Sequence, residues 1–291
     1  MQITLNSTAT MHCNVITDIA IAKQAGFDAI EIIHQKLYRF FDEGGKLSEL
    51  KQALGAFPVV GIGALWNSDR PGTEGLEQVK KETRRMSDIA RKLDCKMVQA
   101  VPGPVDIELV KAHHNGTLKD SDKGYRGYLG KTWQETRRGT AVNVREMAKI
   151  LKENDQVLYL EPLGWAPFCS LKQAIEVIDE AEQDNVGVII DTWHCYVAGD
   201  TPDFVAKMNK GIIKGVHVCD SLPFEGGVPD QNVLRNVMTG EGVIFLKEWM
   251  DAIRATGFDG WYSCEFFSRR HHEMDPLTLA TTLRNFLHYI I

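Results

Sequence analysis

Apolar residues in this chain fall into short runs separated by longer amphipathic stretches, and the alternation persists from end to end. Runs of β-type character stand at 2–6 (QITLN), 27–33 (FDAIEII), 59–65 (VVGIGAL), 95–101 (CKMVQAV), 156–161 (QVLYLE), 186–191 (VGVIID), 211–218 (GIIKGVHV) and 260–266 (GWYSCEF). Between them the period lengthens. In 73–93, Leu76, Val79, Met86, Ile89, Ala90 and Leu93 share one helical face while Lys, Arg and Glu fill the other. The last segment opens with Asp275, suited to cap a helix, and Pro276, suited to its first turn. Strict alternation implies parallel strands, because crossovers of this length return the chain in the same direction. Eight such units predict an α/β fold, the (β/α)8 TIM barrel of about 250 residues, with 1–291 forming a single domain. A doubly wound open sheet is the competing architecture, but no GxGxxG follows the first strand.

Two connections are long, 102–131 and 219–241, and both follow strands. In a barrel they leave the C-terminal ends of the strands, where loops build the catalytic face. Composition narrows the partners. The formal charge of −6, with both signs mixed along the chain, gives no basic stripe for nucleic acid. No window approaches the ~20 apolar residues of a membrane span, and the N-terminus has neither a positive n-region nor an apolar h-region. The six cysteines include no CxxC pair. These features lead to the expectation of a cytoplasmic protein with reduced thiols and no nucleic-acid or membrane partner; a homo-oligomer is left open.

The stretch GVIIDTWHCYVAGD (187–200) poses the chemical question, since a buried strand runs into an aspartate with a histidine three positions on. Other late strands end similarly: the fifth in Glu161, the sixth in Asp191, the seventh with His217, the eighth with Glu265. One acid at a strand end is commonly a solvated or capping residue; four acid or imidazole groups on consecutive strands point to one rim. Three carboxylates and an imidazole make a hard, oxygen-rich set, which indicates one divalent ion, Mn²⁺ first, with Mg²⁺, Co²⁺ and Zn²⁺ open. His194 suits a hydrogen bond to substrate. His34, at the end of strand two, is a further candidate for the pocket, with a structural role as the competing reading. Trp66, Trp165 and Trp193 offer flat faces to a sugar, and core packing competes for each. His113, His114, His271 and His272 are expected in solvated loops.

These residues carry a resemblance. LEPL, DTWH followed by GD, GVHVCDS, GEG (240–242) and SCEFF resemble the xylose isomerase-like barrel superfamily, in particular its ketose 3-epimerase, hydroxypyruvate isomerase and inosose-processing branch. The resemblance covers essentially the full chain. It implies metal ligation by Glu161, Asp191, His217 and Glu265, with Glu161 and Glu265 also forming an acid/base pair and His194 touching a substrate oxygen. The implied activity is isomerisation or epimerisation of a small sugar, keto-sugar or inosose through an enediolate. A lyase or dehydratase acting on a cyclic polyol ketone is the alternative, and a non-catalytic carbohydrate-binding relative or partner subunit is the reading from another class.

Departures sharpen this. The endonuclease IV type adds early histidines and a D-x-H pair to hold more metals, where this chain has GALWN, QAVPGP and Asp230–Asn232 (DQN). Several ketose epimerases place an arginine six residues after the strand-seven histidine, where Pro223 stands here.

Overall fold

The barrel strands are short because each is buried on both faces and needs only enough residues to reach from one rim to the other. In the computed structural model, which describes all of Met1–Ile291, they are β1 (Gln2–Asn6), β2 (Ala29–Ile33), β3 (Val59–Leu65), β4 (Met97–Ala100), β5 (Val157–Leu160), β6 (Val186–Asp191), β7 (Ile213–His217) and β8 (Trp261–Ser263). All pair in parallel with their sequence neighbours, and β8 closes on β1 to complete the barrel. Several strands are shorter than their apolar runs suggest; β8 ends at Ser263 and leaves Glu265 beyond it. The amphipathic stretch at 73–93 forms helix Gly72–Lys92, and Asp275 accepts from the Thr278 N–H to cap helix Pro276–Ile290. No helix is long and apolar enough to cross a membrane.

Side chains alternate in and out along each strand, and this places the lower plug and the upper site on one inward face. Tyr159, Ile189 and Trp261 form a small apolar cluster separate from the main core. Two residues further along the same strands come Glu161, Asp191 and Ser263. Glycines make room for the large members: a Cβ on Gly61 would lie 2.6 Å from the Tyr159 hydroxyl, and one on Gly215 would lie 2.2 Å from the Trp261 ring.

The long connections are partly regular. Residues 102–131 contain helix Ile107–His114, which carries His113 and His114, and 219–241 contain the turn Gln231–Leu234. His271 and His272 also sit in a short helix, Arg269–His272.

Candidate active site and metal centre

Asp191 and His217 are the last residues of β6 and β7 and are register partners, so their side chains rise together at the rim. Glu161 follows β5 directly, and Glu265 lies just beyond β8. One donor atom from each of the four falls within 4.8 Å of the others. His217 Nδ1 is 3.1 Å from Glu161 Oε1, 3.7 Å from Asp191 Oδ2 and 4.0 Å from Glu265 Oε2. Bonds of about 2.1 Å hold opposed ligands about 4.2 Å apart, so the set fits a divalent ion after sub-ångström adjustment.

The imidazole is held from behind. His217 Nε2 lies 2.9 Å from Glu31 Oε2, and Glu31 also accepts from Asn6 Nδ2 (2.6 Å), Ser263 Oγ (3.2 Å) and the Tyr159 hydroxyl (2.8 Å). A carboxylate with these partners leaves Nε2 as the donor and turns Nδ1 toward the other three acidic groups, as a carboxylate–histidine–metal arrangement would require. Burial opposes the charge on Glu31, but His217 and the other donors outweigh it and hold the carboxyl below its usual value. Burial likewise opposes the charged form of His217, and the surrounding carboxylates raise its pKa well above normal.

Arg235, 3% exposed, reaches in from the long connection. Its guanidinium is 3.1 Å from Glu265 Oε2 and 3.6 Å from Asp191 Oδ2, donates to the Glu265 carbonyl at 2.8 Å, and lies over the rings of Trp193 and Phe267. Against the cost of burial, Arg235 and His217 hold Asp191 well below the carboxylate range. Burial and then the neighbouring Glu161 push Glu265 up to about 8. The segment bearing Arg235 is anchored by Asp220, whose carboxylate accepts from the N–H groups of Ser221, Gly240, Gly242 and Ile244 at 2.8–3.1 Å. A side chain on Gly242 would collide with that carboxylate, which accounts for the second glycine of GEG.

Above the cluster lies a cavity of 460 Å³ lined by Glu161, Glu265, His194, Trp66, Trp165 and Gln99, among others. Asp191 and His217 are not on its wall and are 2% and 1% exposed. Asp191 also caps helix Thr192–Ala198, accepting from the His194 N–H, so one carboxylate ends the strand and starts the helix. His194 Nδ1 accepts from the Gly164 N–H at 2.9 Å, which leaves Nε2 as the donor, and burial keeps the ring neutral by lowering its pKa. Trp165 donates to the Pro104 carbonyl at 3.0 Å and ties the 102–131 connection to the site. Trp66 is 45% exposed at the rim, whereas Trp193 is fully buried. His34 is off the cavity wall: it begins helix His34–Asp42, bonds through Nδ1 to the Gly63 carbonyl (3.1 Å) and packs edge-on against Trp66.

Glu31, Gln99 and Arg235 belong to the same cluster, although motif spacing does not reach them. Gln99 donates to Glu161 at 2.8 Å, in space left by Gly63, where a Cβ would lie 1.7 Å from the amide oxygen. Glu31 is signalled by a lone acid within AIEII; Arg235 has no such signal.

The family model of the xylose isomerase-like TIM barrel matches residues 19–288. The chain belongs to this family. Within the xylose isomerase-like barrels, it is 22% identical over 292 residues to the inosose isomerase of Halalkalibacterium halodurans, covering 98% of this chain and 94% of that one. It is also 22% identical over 281 residues to the inosose isomerase of Bacillus subtilis (strain 168), covering 94% and 92%. Among solved structures, the IolI protein with a bound zinc atom superposes with a TM-score of 0.84 at 20% identity, covering 100% of this chain and 98% of that one. The 3-keto-D-glucoside 4-epimerase YcjR from E. coli gives 0.73 at 19% identity, with the same coverage. At these identities the structural matches establish the barrel fold.

Proposed function

We propose that this chain, acting as one domain over 1–291, is a divalent-metal-dependent isomerase or epimerase of a small sugar, keto-sugar or inosose. The observation that carries the reading is the division of the ligand set: Glu161 and Glu265 face the cavity while Asp191 and His217 are sealed behind it. Two of four ligands can therefore meet substrate. The names of the inosose isomerase relatives and of the 3-keto-glucoside epimerase support the same class of substrate.

Glu161, Asp191, His217 and Glu265 would hold the ion, proposed as Mn²⁺ from the predominance of carboxylate oxygen. Once bound, it supplies Lewis-acid polarisation of the substrate's carbonyl and neighbouring hydroxyl. One cavity-facing carboxylate removes the proton from the carbon beside the carbonyl, giving an enediolate. Return of a proton to the opposite face by the other carboxylate is epimerisation; return to the adjacent carbon is isomerisation. His194 lines the cavity and would donate its Nε2–H to a substrate oxygen, and Trp165 packs beside it with ring centroids 5.4 Å apart.

The test is turnover of ketoses, inososes and keto-sugars in D₂O by protein stripped with EDTA and reloaded with Mn²⁺, Mg²⁺, Co²⁺ or Zn²⁺. The expected result is metal-dependent incorporation of solvent deuterium next to the carbonyl in a product of otherwise unchanged composition. Full activity in excess EDTA refutes the metal role, and loss of water from the substrate identifies a lyase instead.

A further inference from the structure

The cavity above Glu161 and Glu265 adjoins a second one across a shared set of lining residues. Its wall contains no lysine or arginine, and its only acidic side chains are those two glutamates. An anionic substituent placed on this wall away from the four-residue cluster would find no lysine or arginine to pair with, an unfavourable arrangement at low dielectric. The wall therefore selects an uncharged ligand. At 460 Å³ the space already lies in the ~300–1,000 Å³ range that encloses ligands of drug size.

Four of its wall residues, Met11, Gln231, Asn232 and Phe267, also line a second cavity of 410 Å³. The divider between the two spaces consists of these side chains. The far side is completed by His12, Arg269, His272 and Glu273. An aromatic face beside amide, guanidinium, imidazole and carboxylate groups offers apolar contact for C–H surfaces and donors and acceptors for hydroxyls, the mixture a sugar ring uses. Arg269 and Glu273 bring opposite charges, so this space also lacks the cationic surplus that would select an anion. Arg269 Nη2 donates to Asn232 Oδ1 at 2.7 Å and fixes the divider on its outer side.

We infer that the site accepts an uncharged two-unit glycoside, the reacting ring above Glu161 and Glu265 and a second sugar ring between Phe267 and Arg269. The choice of reacting ring rests on the isomerase/epimerase reading; the two-unit requirement concerns binding alone.

Binding is measured by calorimetry and by the fluorescence of wall residues Trp66 and Trp165, using Mn²⁺-loaded protein and a panel of α- and β-linked glucosyl disaccharides, glucose, glucose 6-phosphate and phenyl glucoside. The best disaccharide should bind at least about tenfold more tightly than glucose, and Arg269→Ala should narrow that ratio. Equal affinities, undetectable disaccharide binding, an unchanged ratio in Arg269→Ala, or tighter binding of the phosphate would overturn the inference. Preference for phenyl glucoside over every disaccharide overturns the second unit as a sugar. Disaccharide preference without deuterium exchange on any keto-sugar leaves the inference standing and removes the isomerase reading. Exchange on free keto-sugars without disaccharide preference does the reverse.

Discussion

Glu31→Gln removes one charge behind His217 while sparing the geometry. Three donors converge on Glu31 Oε2, from His217, Asn6 and Ser263, and one on Oε1, from Tyr159. A glutamine with its carbonyl in the Oε2 position keeps the first three, and the Tyr159 hydroxyl can rotate to accept from the new amide. What is lost is the charge. Hydrogen bonds to charged groups contribute about 1.5–3 kcal/mol against about 0.5–1.5 for neutral pairs, so the bond to His217 weakens by roughly 1–1.5 kcal/mol. That is about 5–13-fold, which only reaches the lower end of the roughly 10–100-fold that loss of a partner behind a metal-bound histidine typically costs in affinity.

The expected result is a rise of about 5–13-fold in the Kd for Mn²⁺ or Zn²⁺, titrated calorimetrically into metal-stripped protein, with a near-native circular dichroism spectrum. The ¹⁵N chemical shifts of His217 should show Nε2 protonated in the loaded wild type. A Kd within about threefold of wild type, with the fold intact, refutes the argument that Glu31 supports the ligand through its charge.

Glu161→Gln and Glu265→Gln should each lower turnover by more than the ~10²-fold at the lower end of general acid–base contributions, because each also belongs to the ligand set; steady-state kinetics with metal content measured in parallel checks this. His34 is depressed from 6.5 to about 4, chiefly by burial. It therefore stabilises the fold above its unfolded pKa, and that contribution drains away as pH falls from 6.5 through 4, at 1.36 kcal/mol per unit or about 3 kcal/mol in all. Urea midpoints at pH 7 and pH 4 should show a smaller acid-induced loss in His34→Gln than in wild type. Asp220→Ala leaves four backbone N–H groups without their acceptor and should destabilise the protein by about 3 kcal/mol or more, at ~1–3 kcal/mol per buried orphan, read from denaturant titration.

The parts legible in the sequence are those governed by period and strand ends. Each inward position repeats every second residue, so Asp191, which terminates one apolar run, and His217, next to last in another, had to emerge at one rim once the barrel closed. Glu31 was legible in another way: an acid inside AIEII has no solvent face in a parallel sheet and needs a buried partner. Its partner lies 186 positions away, and nothing local specifies it. Arg235 was not legible, because it enters from an irregular connection whose path depends on Asp220 gathering N–H groups from both ends of that connection. The crossover from β2 to β3 likewise holds two helices, His34–Asp42 and Leu47–Leu54. His34 begins the first of them and bonds to the carbonyl of Gly63, a cavity-lining residue, without lining the cavity itself, which its place at the end of an apolar run does not reveal.

The electrostatics of the cluster give an argument for a cation independent of ligand spacing. Glu31, Glu161 and Asp191 are each at most 4% exposed, Glu265 is close by, and the positive groups among them are Arg235 and a protonated His217. Like charges packed at low dielectric cannot all persist without compensation. Without an ion, the chain answers with protons: His217 is held well above its normal range and Glu265 rises to about 8. A divalent ion taking the place of the His217 Nδ1 proton would add one net positive charge where three carboxylates converge, and would release Glu265 from carrying a proton of its own. Glu265 and Glu161 would then both be free to exchange protons with a ligand in the cavity, while Asp191 and His217, closed off from it, would keep the ion in place.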